Sequence, residues 1–313
     1  MKTEKIIYKS YNGEHNIAAW LICNEDKGMK GIVQIAHGMK EYFLRYNEFI
    51  EFLLDNGYAV CGNDHVGHGE SLDGEAGFMG RGNVCEVMVN DMRALFKIVK
   101  GRFPKVPYYL FGHSMGAFAV RVYASKWAYE LNGLILCGTG DQNFYQCNLY
   151  KGAALLCGMS IGVLGTNKKI KMIESIIFGS FMKHFEPIKT KADWQTSDET
   201  RARAFVEDTK SDFCFSLGGY KAIAEAIIKV SSPKWVETLP KTLPILIFSG
   251  SVDPVGNFGE GVNLLYERLG KAGLSDVSLK IYEGGRHEML HEVCRKDVYA
   301  DIVEWLEKKK KLT

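Results

Sequence analysis

Residues 107–116 of this chain read PYYLFGHSMG, an apolar run that leads into a Gly-x-Ser-x-Gly motif. The apolar run before the motif and a helix-like stretch after it predict a sharp strand-to-helix turn with Ser114 at its tip. Gly112 and Gly116 lack side chains, so the strand and the helix can approach each other closely. The turn lifts the Ser114 hydroxyl above the sheet edge and directs the Met115 N–H to where an oxyanion would form. Ser114 is therefore the candidate nucleophile, and an ordinary glycine-rich turn is the alternative.

Apolar residues on both sides of this motif alternate between the spacing of strands and the spacing of helices. Strands are predicted at 16–23, 31–36, 58–63, 107–111, 132–137, 244–248 and 277–282. Helices are predicted at 42–55, 84–100, 149–164, 170–185, 220–230, 262–269 and 292–308. Strands that alternate with helices predict an α/β fold in which a mostly parallel central sheet is flanked by helices.

Residues 140–233 depart from this alternation because they contain apolar helix-like segments and no convincing strand. Strand signals resume after them, so the sheet is built from both ends of the chain. We predict an inserted helical cap at 140–233 and a core formed by 1–139 and 234–313.

Composition excludes several classes of protein. The 313 residues are 46% hydrophobic and 24% charged with a net charge of +2, which is ordinary for a soluble globular protein and implies no nucleic-acid partner. Residues 1–11 lack the apolar core of a signal peptide. The apolar stretch 153–165 is shorter than the ~20 residues that span a bilayer, so we expect no integral membrane protein. The eight cysteines show no C-x-x-C pair or zinc-site spacing, which predicts reduced, mostly buried thiols in a cytoplasmic protein.

A serine nucleophile needs a base within hydrogen-bond reach and an acid that orients the base. In the predicted architecture these follow the serine in the order acid, then histidine, each after a late strand. Asp253 follows the strand predicted at 244–248, and His287 follows the strand predicted at 277–282. They are the candidate acid and base, although each alone could be a turn-forming Asp-Pro or a surface histidine.

Other titratable residues compete for these roles. His113 adjoins the serine, but we expect its ring to pack or to form hydrogen bonds in the loop. His291 lies four residues after His287, a spacing that zinc ligands use, yet no third ligand is evident. Asp276 and Glu283 flank the last predicted strand and are interpreted as solvated charges. We therefore predict no metal and no cofactor.

A second oxyanion donor is expected from the loop after the third strand of such a sheet. The sequence His37-Gly38-Met39 occupies that place, so the Met39 N–H is the candidate donor beside that of Met115. Gly38 lets the chain turn closely under a substrate, and His37 is expected to anchor the loop. Residues 63–71 hold two histidines and an aspartate, which favour a hydrogen-bonded structural loop over a metal site.

Over nearly its whole length the chain resembles α/β-hydrolases of the serine aminopeptidase and monoacylglycerol lipase (lysophospholipase) type. The matching motifs are HG at 37–38, DHVGHGES at 64–71, GHSMG at 112–116, SGSVDPVG at 249–256 and GGRHEMLHE at 284–292, with segment 194–220 similar to bacterial members. The resemblance implies the α/β-hydrolase fold, a triad of Ser114, Asp253 and His287, and the two oxyanion donors named above. Val66 is a departure, since relatives commonly have arginine there, and it affects the anchoring of that loop.

The predicted cap carries the information on substrate. Segment 149–164 is apolar nearly all round, and a stripe that includes Ile173, Ile177 and Phe181 lies beside several lysines. A lid that lines an acyl tunnel and contacts an anionic membrane surface has this pattern, and a helix that packs on the core has it too. We expect these three residues to contact an ester with one medium or long acyl chain, such as a monoacylglycerol or a lysophospholipid.

Two other functions stay open at this point. A proline-aminopeptidase type of enzyme would need clustered cap carboxylates for a free amine, and Glu174, Glu186 and Glu207 form no cluster in the sequence. A non-catalytic binding protein of the same fold would normally have lost a triad member, whereas all three candidates are present.

Overall fold

A computed structural model describes residues 2–24 and 28–310 of the chain. The strands within these residues are β1 (Lys2–Lys9), β2 (Asn16–Cys23), β3 (Gly31–Ala36), β4 (Tyr58–Asn63), β5 (Tyr108–His113), β6 (Gly133–Cys137), β7 (Ile245–Gly250) and β8 (Val277–Tyr282). The α-helices are α1 (Asn47–Asp55), α2 (Val84–Arg102), α3 (Met115–Trp127), α4 (Phe144–Leu164), α5 (Lys171–Met182), α6 (Glu199–Glu207), α7 (Leu217–Val230), α8 (Pro233–Glu237), α9 (Glu260–Lys271) and α10 (Arg295–Lys310).

The strands form one sheet in the order β1-β2-β4-β3-β5-β6-β7-β8. β1 pairs with β2 and β2 pairs with β4 in antiparallel fashion, and all other neighbours are parallel. Helices α2, α3 and α9 pack on one face, while α1 and α10 pack on the other. Strands β3 to β7 are buried throughout because both faces are covered. The predicted fold, a mostly parallel sheet flanked by helices, is confirmed.

The parallel strands all have their carboxyl ends along one edge of the sheet, so the loops that follow them converge there. The loop after β3 begins at His37, the turn after β5 at Ser114, the loop after β7 at Ser251 and the loop after β8 at Glu283. The candidate triad and the candidate oxyanion donor Met39 lie in these four connections.

The connection from β6 to β7 contains α4 to α8 and one isolated bridge between Lys169 and Ser216. Side chains of α5 line the same cavity as Ser114. The inserted helices therefore lie over the edge at which the parallel strands end.

The sequence pattern does not predict β1, which contains four charged residues within Lys2–Lys9. β1 lies at the edge of the sheet, where most of its side chains face water and main-chain hydrogen bonds to β2 hold it. An edge strand of this kind has no need of the apolar alternation that marks a half-buried strand. The short helices α6 and α8 are likewise additions that the pattern does not predict.

Helix α4 is longer than expected. Asn143 and Gln146 form a capping box, so the helix begins at Phe144 and runs for 21 residues. By length and composition it is the one helix of the described chain that could cross a membrane, and few of its side chains are buried. The expectation from stretch 153–165, that no segment is long enough, is therefore wrong for α4. In the structure this helix packs against α7 within the insertion.

Candidate active site

The turn between β5 and α3 has the strained geometry that the glycine spacing predicts. Ser114 has φ 52° and ψ −119°, a conformation that costs a non-glycine residue free energy. A Cβ at Gly112 would lie 2.6 Å from the Ala117 Cα, and one at Gly116 would overlap the Ala36 carbonyl oxygen. Only glycine fits at either position, and the Ser114 hydroxyl is left at the end of β5 facing the cavity.

Asp253 and His287 meet at this edge of the sheet. The His287 Nδ1 lies 2.9 Å from the Asp253 Oδ1. The carboxylate also accepts hydrogen bonds from the Val255 N–H at 2.9 Å and the Ser249 hydroxyl at 3.0 Å. Burial alone would raise the pKa of Asp253, but His287 and these donors hold the pKa below its usual value. The ionised carboxylate keeps the proton of His287 on Nδ1, which leaves Nε2 able to accept a proton from a hydroxyl.

The His287 ring lies between two other rings. Trp194, from the inserted segment, stacks on it with ring centroids 5.0 Å apart and an interplanar angle of 29°. His113 lies on another side at 4.9 Å between centroids. His287 and Ser114 line the same cavity. The packing restricts the tilt of the imidazole, and no sequence pattern indicates the role of Trp194.

The loop after β3 is held by His37. The His65 N–H donates to His37 Nε2 at 2.9 Å, so the His37 proton is on Nδ1 and donates to the Gly38 carbonyl at 2.8 Å. Burial lowers the pKa of His37 to about 4, in agreement with a neutral ring. Because the peptide bond is planar and trans, a fixed Gly38 carbonyl also fixes the opposite direction of the Met39 N–H.

Two main-chain N–H groups are thus available near Ser114. Met39 lines the cavity, and a Cβ at Gly38 would lie 3.1 Å from the Ser114 Cβ, so this loop passes close to Ser114. Met115 is the first residue of α3, and the first N–H groups of a helix have no partner within the helix. The helix dipole favours negative charge at the same place. The arrangement can stabilise an oxyanion formed above Ser114.

A cavity of about 430 Å³ opens above these residues. Four aromatic side chains, Phe178, Trp194, Phe205 and Phe213, form much of its wall. Several of the lining charges are paired: Lys40 with Glu174, and Lys191 with Asp212 at 2.9 Å. The cavity therefore combines an aromatic surface with a larger number of polar and charged side chains.

The three residues of α5 predicted to contact the acyl chain, Ile173, Ile177 and Phe181, do not lie in the wall of this cavity. Ile173 and Ile177 pack against the main hydrophobic core and do not line the cavity. Phe181 packs on Trp194, with centroids 5.0 Å apart, and also lies outside the cavity wall. The α5 residues that line the cavity are Lys171, Glu174, Ser175 and Phe178. Both faces of α5 carry apolar residues, so helical periodicity cannot show which face packs on the core.

The competing residues have other partners. The His113 Nδ1 lies 2.8 Å from a carboxylate oxygen of Glu41, a residue that sequence reasoning did not single out. Asp276 pairs with Lys309. His291 is buried, and burial lowers its pKa to about 3. Among residues 2–24 and 28–310, no group of three or more His, Cys, Asp or Glu side chains is arranged to hold a metal ion.

The loop at residues 63–71 is held by main-chain contacts. Asp64 accepts the N–H groups of Phe43 and Glu70, both at 2.7 Å, and burial raises the pKa of Asp64 to about 7. His68 Nδ1 contacts the Val66 carbonyl at 3.0 Å. These contacts fit a structural loop.

Comparison with known proteins places this site in a family. The family model described as serine aminopeptidase, S33, matches residues 27–293. The chain belongs to this family of α/β-hydrolases. The S33 family assignment confirms the prediction made from the motifs.

Two relatives and one solved structure show what this S33 chain is similar to. It is 27% identical over 285 residues to the monoacylglycerol lipase of Mycolicibacterium smegmatis, covering 90% of this chain and 89% of that protein. It is 27% identical over 281 residues to the human monoglyceride lipase, covering 88% and 82%. A thermostable carboxyl esterase from Bacillus coagulans, solved in complex with glycerol, superposes with a TM-score of 0.92 and 29% identity over 99% of both chains. The prediction of a serine ester hydrolase is confirmed.

Proposed function

We propose that the protein cleaves a carboxylic ester with a single acyl chain, of the monoacylglycerol or lysophospholipid type, through an acyl-enzyme on Ser114. The observation that carries the proposal is that Ser114 and the Asp253–His287 pair line one cavity. A strained serine at a helix N-terminus that shares a cavity with a carboxylate-oriented imidazole is the arrangement that acyl transfer requires.

In the proposed reaction the Ser114 Oγ attacks the ester carbonyl while His287 Nε2 takes the hydroxyl proton. The N–H groups of Met39 and Met115 bind the oxyanion of the tetrahedral intermediate. The C–O bond to the alcohol then breaks, and the alcohol leaves with the proton from His287. Water attacks the acyl-enzyme and gives its proton to His287, and Ser114 takes that proton as the free acid departs.

The cavity supports an ester with an apolar chain and a hydroxylated head group. Its aromatic wall suits methylene groups, since each buried CH₂ contributes about 0.8 kcal/mol of transfer free energy. The Lys40–Glu174 and Lys191–Asp212 pairs offer both donors and acceptors to the hydroxyl groups of a polyol. The names of the lipase relatives, and the glycerol bound to the esterase, agree with this substrate class.

The paired carboxylates disfavour an aminopeptidase. Holding the free amine of a peptide requires a carboxylate that is not already neutralised. Every carboxylate that lines the cavity contacts a cation: Glu41 and Glu288 contact Arg45, Glu174 contacts Lys40, and Asp212 contacts Lys191.

We also propose that residues 140–233 act as a cap whose outer face makes transient contact with an anionic membrane surface from the cytoplasmic side. Large apolar side chains are exposed along both outer helices: Leu149, Leu155, Leu156, Met159 and Val163 of α4, and Met172 and Ile176 of α5. Exposed lysines lie near them: Lys151, Lys168 and Lys171. Helices that expose both apolar side chains and cations are complementary to anionic lipid.

The proposed function is tested by Ser114→Ala, because no other group in the proposed reaction can form the acyl-enzyme. We expect the variant to fold with an unchanged circular dichroism spectrum and to lose both ester hydrolysis and labelling by a fluorophosphonate. Ser180→Ala, at an exposed serine of α5, is the control and should keep both. Wild-type enzyme should prefer monoolein or a lysophospholipid to proline nitroanilide. Labelling that persists in Ser114→Ala, or a preference for the nitroanilide, would contradict the proposal.

A further inference from the structure

Glu41 is a buried carboxylate that the proposed reaction does not use. It lies in the loop after β3, with only 2% of its surface exposed. One oxygen, Oε1, faces the Gly38 N–H, the Tyr46 hydroxyl at 2.8 Å and the His113 Nδ1 at 2.8 Å. The other oxygen accepts from Arg45 at 3.1 Å. So many donors around one carboxylate compensate the cost of burying its charge.

The contact with Gly38 bears on the candidate oxyanion donor. The Gly38 N–H is bonded to Glu41, and the Gly38 carbonyl is bonded to His37. The peptide groups on both sides of Gly38 are therefore fixed, and with them the direction of the Met39 N–H. A Cβ at Gly38 would overlap Glu41 Oε1 and would lie 3.1 Å from the Ser114 Cβ. The loop is thus packed between the carboxylate and the nucleophile.

The contact with His113 joins Glu41 to the serine turn. His113 directly precedes Ser114, and its ring lies 4.9 Å from the ring of His287. Burial would lower the pKa of His113, but the Glu41 carboxylate outweighs burial and raises that pKa above its usual value. His113 therefore presents an N–H to Glu41, and the ring is held against the serine turn.

Arg45 extends the connection to the third loop. Its guanidinium contacts Glu41 and also binds both carboxylate oxygens of Glu288, each at 2.7 Å. Glu288 directly follows His287 in the chain. Glu41 is consequently the residue at which the loop of Met39, the turn of Ser114 and the loop of His287 are joined.

We propose that Glu41 is a positioning residue for ester hydrolysis, which holds the loop of Met39 against the turn of Ser114 through the Gly38 N–H and the His113 ring. This inference rests on the proposed function, because it requires Met39 to bind the oxyanion. A carboxylate that only stabilised the fold would leave the folded enzyme fully active. A positioning carboxylate stabilises the transition state more than the bound substrate.

The test is Glu41→Gln, which keeps the shape of the side chain but replaces one acceptor oxygen by a donor. We expect kcat/KM on a preferred ester to fall roughly 10- to 100-fold with KM little changed, which is less than the ~10²–10³ for loss of an oxyanion donor itself. A trifluoromethyl ketone with the same acyl chain adds to the serine and forms an oxyanion, so its inhibition constant should weaken by the same factor. The matching methyl ketone, a ground-state competitor, should bind as before.

The matched control is Glu48→Gln on α1, where an ion-paired carboxylate contacts Arg201 and Arg295 and does not line the cavity. Its activity and both inhibition constants should stay within about twofold of wild type, as for surface ion pairs of small energetic weight. Glu41→Asp withdraws the carboxylate from Gly38 while keeping its charge. If Glu41→Gln fails to fold, this variant should show the same selective loss of trifluoromethyl ketone binding.

Three results would overturn the inference. One is a folded Glu41→Gln or Glu41→Asp enzyme with wild-type kcat/KM. Another is a fall in activity in which both ketones weaken equally or neither weakens, since that indicates a structural role alone. The third is wild-type protein that hydrolyses no ester and takes no fluorophosphonate label; it is observed before any Glu41 variant is measured and overturns the proposed function as well.

Discussion

Asp253 has no exposed surface, and its two oxygens face the His287 ring and two further donors. Each of those donors stabilises the ionised carboxylate, which is why its pKa stays low despite burial. The carboxylate can hold one tautomer of His287, and in the proposed reaction it would stabilise the imidazolium that forms when Ser114 loses its proton.

At this residue we expect Asp253→Asn to lower kcat by orders of magnitude, on the order of 10⁴ as in serine proteases. The amide N–H would donate to the His287 Nδ1, so the imidazole proton would lie on Nε2. A protonated Nε2 cannot accept the proton of the serine hydroxyl. Steady-state kinetics on a p-nitrophenyl ester measures the effect. Asp276→Asn, which removes a carboxylate paired with Lys309, is the control and should be nearly silent. The opposite ranking of the two variants would mean that the acid is misassigned.

Helix α5 presents different residues to three surroundings. Ile173 and Ile177 pack on the core, Phe178 lines the cavity and stacks on Trp194, and Ile176 is 64% exposed. Glu174 binds Lys40, so the same helix is tied to the loop of Met39. One helix can therefore set both the shape of the cavity and the chemistry of the outer surface.

We expect kcat/KM of the wild type to rise about fourfold per added methylene until the cavity is full, the equivalent of about 0.8 kcal/mol for each buried CH₂. Phe178→Ala should flatten this rise and leave acetyl esters cleaved nearly as before. Ile176→Asp should keep the rise, because it lies outside the cavity, and should weaken cosedimentation with vesicles containing phosphatidylserine. A series of p-nitrophenyl esters and a vesicle binding assay measure the two effects. An equal loss on all chain lengths in Phe178→Ala would mean that the residue only packs the helix.

Across the whole molecule, four buried histidines are held neutral: His37, His65, His68 and His291. Burial lowers the pKa of all four. The pKa falls to about 4 for His37 and to about 3 for His68 and His291, and for His65 it lies well below its usual value. Below pH 6.5 the unfolded chain binds these four protons and the folded protein does not. Burial also raises the pKa of Asp64 to about 7 and of Asp91 to about 6, so the folded protein binds two protons that offset part of this uptake.

The net uptake of about two protons on unfolding predicts that stability is lost as the pH falls from 6 to 4. The free energy of unfolding should fall by roughly 3 kcal/mol for each pH unit, since each bound proton contributes about 1.4 kcal/mol. His113 contributes to the pH dependence with the opposite sign. Because the folded protein raises the pKa of His113, its protonated ring stabilises the folded state below pH 6.5, and this stabilisation is lost as the pH rises above the folded pKa. Urea unfolding at pH 4.5, 5.5 and 7.5 measures the slope. His291→Leu should reduce the slope by about one proton, whereas His184→Gln, at an exposed position, should leave it unchanged. A flat profile would contradict the prediction.

Local sequence by itself determined the strand-to-helix turn at Ser114, the alternation that builds the sheet, and the loops that carry Asp253 and His287. These features depend on backbone sterics and apolar spacing over some ten residues, and both can be read in order along the chain. The S33 motifs likewise lie in short contiguous segments.

Only the tertiary structure decided which face of α5 lines the cavity, because Phe178 and Ile177 are equally apolar and differ only in what packs against them. It also decided that Trp194 stacks on His287 and that Glu41 and Arg45 join three loops. Glu41 is 72 residues from His113, and Arg45 is 243 residues from Glu288. No periodicity or spacing in the sequence indicates that residues so far apart form a pair, because only the fold brings them together.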